Sequence, residues 1–180
     1  MTQEQDSFLP EGYKVPKTGG NYMKFKEGKN RFRVLSKPVV GWEYWTEDNK
    51  PVRSKELWNV VPLNARLPWD YKHFWAFIVW NLDDERIQIL EITQKGILER
   101  LQGLIENEHW GDPREYTLTI TREGEGLKTR YVVDPSPHKK TPAEVTEKYK
   151  ETDINLEELF VGGQPFKEET EENFDDSVPF

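Results

Sequence analysis

Apolar and polar positions alternate with a strand's period of two along much of this chain, and recur at helical spacing in one stretch. From Lys29 onward, Phe32 and Val34 fall opposite Arg31 and Arg33, the pattern of a half-buried strand. Residues 39–46, Val-Val-Gly-Trp-Glu-Tyr-Trp-Thr, continue it, with Gly41 allowing the bend that a small barrel needs, and a turn follows at 48–51. Residues 73–80, His-Phe-Trp-Ala-Phe-Ile-Val-Trp, and residues 86–91 flank a tight turn at 81–84 and predict a hairpin with an aromatic first strand. Behind a candidate N-cap at Thr93, the residues Ile97, Leu98, Leu101, Leu104 and Ile105 form the core face of an amphipathic helix, ended by Gly111-Asp112-Pro113. A second hairpin follows: 115–122 alternates threonine with Tyr116, Leu118 and Ile120, 123–126 turns, and 127–133 returns. A polar helix is expected from Thr141, in a capping box with Glu144 and with Pro142 at the first helical position.

Residues 47–72 have no clean period and carry Pro51, Pro62 and Pro68. A loop this long inside a domain is functional or disordered, and its aromatic content argues against disorder. The order is then a long bent strand, a large loop, a hairpin, a helix and a hairpin. That order predicts a mainly β chain built on an oligonucleotide/oligosaccharide-binding (OB) fold, a five-stranded Greek-key barrel with one helix between strands 3 and 4. Another small barrel with the same strand count would give the same periodicity. The expected organisation is an extended N-terminal arm (1–19), the barrel (20–137), a helical extension (138–161) and a disordered acidic C-terminal tail (162–180).

A net charge of -8 argues against a polyanionic partner until it is partitioned. Residues 141–180 hold 12 acidic and 3 basic groups, whereas residues 20–66 hold 10 basic and 5 acidic ones. The acidity belongs to the tail, and local potential on the body can still favour phosphate. With no cysteine there is neither a disulfide framework nor a thiolate nucleophile. His73, His109 and His138 lie far apart in sequence and are expected in structural roles, although sequence distance leaves a site assembled in space open. No phosphate loop, nucleophile elbow or His-Glu-x-x-His appears, so neither an enzyme nor a cofactor is expected; Asp83-Asp84 reads as a solvated turn. The polar, acidic start and the lack of an 18-residue apolar run predict a cytoplasmic protein without a membrane partner.

The last eight residues, 173–180, read Asn-Phe-Asp-Asp-Ser-Val-Pro-Phe after an acidic run. This ending resembles the C-terminal peptide of bacterial and phage single-stranded DNA-binding proteins, typically Asp-Phe-Asp-Asp-Asp-Ile-Pro-Phe. Phe174, Asp175, Asp176, Pro179 and Phe180 match, Val178 stands for isoleucine, and Asn173 and Ser177 replace acids. The body is similar to phage-encoded members of that family through residues 21–25, 41–45, 73–77 and 111–113. The resemblance implies a protein that coats single-stranded DNA without sequence preference in a bacterial host cytoplasm. It also implies that Phe174, Asp175, Asp176, Val178, Pro179 and Phe180 dock replication, recombination or repair proteins, with Phe180 filling a pocket and its carboxylate held by a cation. The acidic tail can also occupy the chain's own basic groove as a polyanion mimic.

Such binding needs rings for bases and cations for phosphates. On an OB barrel the candidate platforms are Trp42, Tyr44, Trp45, Trp58, Trp69, Trp75 and Trp80, and the candidate phosphate contacts are Arg31, Arg33, Arg53, Lys55, Arg66, Lys72, Lys128 and Arg130. Alternation sets Trp75 and Phe77 opposite Phe74 and Trp80, so one set fills the core, and periodicity does not say which. Two other readings fit the same residues: an OB-like adaptor without nucleic-acid affinity, and a nuclease assembling distant carboxylates around a metal.

Overall fold

The alternating stretches form strands, and the strands join in one sheet. The computed structural model describes residues 8–13, 20–60, 62–67 and 70–167, in which seven strands build an antiparallel open sheet accompanied by two α-helices. The strands are β1 (Gly28–Val34), β2 (Val39–Trp45), β3 (Pro51–Ser54), β4 (Tyr71–Asn81), β5 (Arg86–Ile92), β6 (Thr117–Glu123) and β7 (Arg130–Pro135). The helices are α1 (Lys95–Glu106) and α2 (Ala143–Glu151). The strand order is β3-β2-β4-β1-β6-β7, with β5 on the other edge of β4.

β4 is long enough to serve three partners. Its residues 71–76 pair with β2 and 79–81 with β1 along one edge, while 75–81 pair with β5 along the other. The count exceeds the expected five for two reasons. The bent strand is divided at 35–38, where Pro38 has no N–H to give a ladder, and residues 51–54, inside the stretch read as loop, pair with β2 as β3. Among the described residues no ladder joins β5 to β7. The segment before β1 spans that interval instead. Asn21 accepts from the Ile89 N–H and Met23 donates to the Ile89 carbonyl, both at 2.8 Å, while the Phe25 ring lies 5.7 Å from that of Tyr131 on β7.

The sheet is apolar on both faces where β4 crosses it, which explains the nearly unbroken apolar run of that strand. One face, with Phe32, Val34, Phe77, Val79, Leu90, Ile92, Leu118 and Ile120, packs on Ile97, Leu98, Leu101 and Leu104 of α1. Each such burial contributes about 1.5–3 kcal/mol. Ile105, expected on this helix face, is 40% exposed, and the N-cap is Gln94 rather than Thr93. The other face, with Phe74, Ala76, Ile78 and Ile89, is covered by Leu156 and Leu159 from a 3₁₀ turn, Leu156–Phe160. Gly41 serves that contact more than a bend: a Cβ there would lie 2.5 Å from the Ser54 carbonyl oxygen and 2.8 Å from Phe160 Cε1.

The C-terminal extension corrects two expectations. No capping box forms at Thr141; Pro142 takes the N-cap position of α2, and no side chain caps that terminus. Residues 162–167 belong to the fold rather than the tail, because Phe166 bridges to Ile154 and the Asn155 N–H donates to the Pro165 carbonyl at 2.7 Å. The peptide containing Phe174, Asp175, Asp176, Val178, Pro179 and Phe180 lies outside the described residues, as do Trp69 and most of the arm.

Candidate nucleic-acid interface

The register of β2 on β4 decides which rings meet. Trp42 faces His73, Val40 faces Trp75, and Tyr44 faces Tyr71, so all six share one side of the sheet. Trp42 lies 4.8 Å from the His73 ring and meets Tyr71 edge-on at 6.2 Å. Farther along β4 the same side becomes Phe77 and Val79 of the core under α1. Toward the start of β4 it is only partly covered, and Trp42, Tyr71, His73 and Trp75 are half-buried. Trp42, His73 and Trp75 line a depression of about 550 Å3, walled on the helix side by Thr93, Lys95 and Leu98. Lys72 borders it, exposed and without an ion-pair partner among the described residues, and Lys95 pairs with Glu99 at 3.8 Å. His73 Nδ1 is enclosed with no hydrogen-bond partner among the described residues.

Trp75 also lines a second, apolar cavity of about 370 Å3, shared with Val34, Phe77, Leu101 and Arg114. The aromatic depression and this cavity therefore adjoin along one tryptophan.

The remaining candidate platforms are placed differently. Tyr44 is buried at 7% exposure, its hydroxyl donating to Asn64 Oδ1 at 3.0 Å, which withdraws it from stacking on a ligand. It supports Trp58 instead, whose ring meets it edge-on at 4.8 Å. Trp45 is exposed on the opposite side of β2 from Trp42. Trp80 also lies on the reverse side, where the Lys148 ammonium of α2 sits 5.2 Å above its ring, apart from the Trp42 and Trp75 side.

Two candidate cations are not surface phosphate contacts. Arg53 lies on the reverse of the sheet between two acids, Glu43 at 3.3 Å and Glu91 at 2.6 Å. One guanidinium cannot neutralise both carboxylates. Burial, then the hydrogen bond and charge of Glu91, push Glu43 up to about 8 against the opposing pull of Arg53. Arg33, read as part of a solvated strand face, is 3% exposed, and its Nη2 donates to the Arg114 carbonyl at 3.0 Å. α2 and the chain leading into it border Arg33 there, an arrangement that alternation within β1 does not encode.

The exposed cations mostly have acidic neighbours. Arg31 pairs with Asp83 at 2.8 Å; although burial opposes it, the Arg31 hydrogen bonds and charge hold Asp83 below the usual carboxylate range. Lys55 pairs with Glu157 at 2.7 Å, Arg66 approaches Asp70 at 3.9 Å, and Arg130 pairs with Glu123 at 3.0 Å. Exposed pairs of this kind contribute about 0–1 kcal/mol and exchange readily for phosphate. Lys128 is exposed and without an ion pair among the described residues. Tyr71 and His73 were missed as ring contributors, yet the strand period that singles out Trp75 also places residues 71 and 73 on its side.

Among the described residues no group of three His, Cys, Asp or Glu side chains is placed to hold a metal ion, and no helix is long and apolar enough to cross a membrane. No protein-family model, curated protein or solved structure matches the chain.

Proposed function

We propose that this protein binds single-stranded DNA without sequence preference, in the manner of phage-type single-stranded DNA-binding proteins. It would protect transient single strands during replication and recombination and recruit partner enzymes through residues 174–180. One observation carries the reading: Trp42, Tyr71, His73 and Trp75 form a half-buried aromatic surface on two adjacent strands, bordered by Lys72, which has no ion-pair partner among the described residues. A half-buried ring is held in place yet keeps surface for a base, and each base stacked on such a ring contributes about 1–3 kcal/mol whatever its identity. Lys72, with Arg31, Lys55, Arg66 and Arg130 exchanging weak partners, supplies charge for the backbone.

The strand order supports an OB-type barrel as the scaffold. β1 and β2 act as one bent strand pairing with β4 on one side and, through β1, with β6 on the other, and α1 lies between β5 and β6. Segment 21–25 would close the barrel between β5 and β7 in place of a direct ladder. Reaction chemistry is not required, because coating depends on contact alone.

The test is fluorescence anisotropy of a labelled, unstructured oligonucleotide with wild type, Trp42→Ala and Trp75→Ala. Each substitution is expected to weaken binding by about 5- to 150-fold, the equivalent of one stacked base. Wild-type affinity unchanged in both folded variants would overturn this interface.

A further inference from the structure

A third concavity, of about 880 Å3, lies between β1 and α2, and Arg114 is common to it and to the apolar cavity beside Trp75. Aromatic depression, apolar cavity and this groove thus form a series with shared walls. Its floor includes Arg33, and its sides carry Lys139, Lys140 and Lys150. The three lysines are exposed and have no ion-pair partner among the described residues. The facing acids are Glu115 and Glu147, while Arg114 is engaged by Asp112 at 2.6 Å.

Two independent features point to an anion. Arg33 is 97% buried by its 3% exposure, and its Nε has no hydrogen-bond partner among the described residues. An enclosed guanidinium N–H left open costs about 1–3 kcal/mol or more unless something accepts from it. In addition, α2 begins at the groove with Ala143, its first turn uncapped by any side chain, so the positive end of the helix adds to the cationic field.

We propose that the groove between β1 and α2 is a phosphate-binding subsite, in which Arg33 Nε donates to a phosphate oxygen and Lys139, Lys140 and Lys150 neutralise its charge. The chemistry recognised is a phosphate oxyanion. On the single-strand reading, from which this assignment follows, it is a backbone phosphodiester of the strand whose bases stack at Trp42 and Trp75. The subsite gives the bound strand a direction, from the rings past Arg114 to the reverse of the sheet beside α2.

The experiment uses the full chain and the exposed double variant Lys139→Ala/Lys140→Ala, which leaves the core untouched. Inorganic pyrophosphate is titrated while the arginine Nε–H resonances are followed by NMR. The Arg33 signal is expected to shift in the wild type and to shift much less in the double variant; an unmoved Arg33 signal overturns the subsite. In parallel, the affinity for an oligothymidylate is measured against salt. Loss of two backbone contacts should reduce the slope of log K against log salt by about 1.4, at about 0.7 per contact on a single strand. Trp42→Ala should lower affinity with the slope unchanged. A pyrophosphate response with an unaltered slope overturns the backbone assignment in favour of free phosphate. A pyrophosphate response in a wild type that ignores oligonucleotides supports the anion site and sinks the single-strand reading.

Discussion

Replacing Glu43 by glutamine isolates a pH dependence built into the back of the aromatic surface. Glu43 follows Trp42 on β2, and with Arg53 and Glu91 it ties β2 and β3 to β5. Its ordinary value is 4.5, and in the folded chain it is pushed up to about 8. Between those limits the native state holds a proton that the unfolded chain releases, so folding takes up a proton and stability falls as pH rises. Working at about 1.36 kcal/mol per unit of displacement, the wild type loses about 2 kcal/mol from this group between about pH 6 and pH 8. In a chain of this size that is a fall in Tm of about 4–8 °C. Glu43→Gln has no proton to lose, so this component vanishes whatever constant offset the substitution brings. Urea denaturation of both proteins across that range reads the difference of slopes, in which titrating groups away from the Glu43, Arg53 and Glu91 cluster cancel. Parallel stability curves would refute the argument, showing that Glu43 ionises at its ordinary value in the fold.

Further outcomes follow from packing and charge. Gly41→Ala should destabilise the protein by about 1–3 kcal/mol, read as a lowered Tm, because the added methyl meets the Ser54 carbonyl and the Phe160 ring; an unchanged Tm would contradict that contact. Leu104→Ala, at a site 2% exposed in the α1 core, should cost about 2–5 kcal/mol in denaturant unfolding. Removal of residues 168–180 should tighten oligonucleotide binding at low salt, with the gain fading as salt rises; equal affinities would rule out the tail as a polyanion mimic.

Local patterns were legible where one face of an element alone is buried. The two hairpins and α1 follow from period-two and helical spacing, since their register against the core is set by their own side chains. What the pattern could not carry is the second layer on the back of the sheet. The sequence of α2, Ala-Glu-Val-Thr-Glu-Lys-Tyr-Lys-Glu, buries Val145 alone, so nothing in its composition says that it borders Arg33. For the same reason alternation gives Arg33 the pattern of its exposed neighbour Arg31, and nothing in the local pattern singles out Lys139, Lys140 and Lys150. β3 is four residues long with intermediate burial throughout, and its place is fixed by pairing with β2 and by the Arg53 ion pairs, not by periodicity. Of the site, alternation gave the shared side of residues 71, 73 and 75. Which side of β4 remains partly open became visible once α1 and the Leu156–Phe160 turn were seen to divide the two faces between them.

The proposed function requires that rings on β2 and β4 stack on the bases of a single strand. The chain's own seven tryptophans report on this directly, through intrinsic fluorescence titrated with an unstructured single-stranded oligonucleotide and with a matched duplex, at low and at raised salt. Stacking should give strong quenching by the single strand, weak or no quenching by the duplex, and a loss of apparent affinity as salt rises. Fluorescence indifferent to both nucleic acids would contradict it.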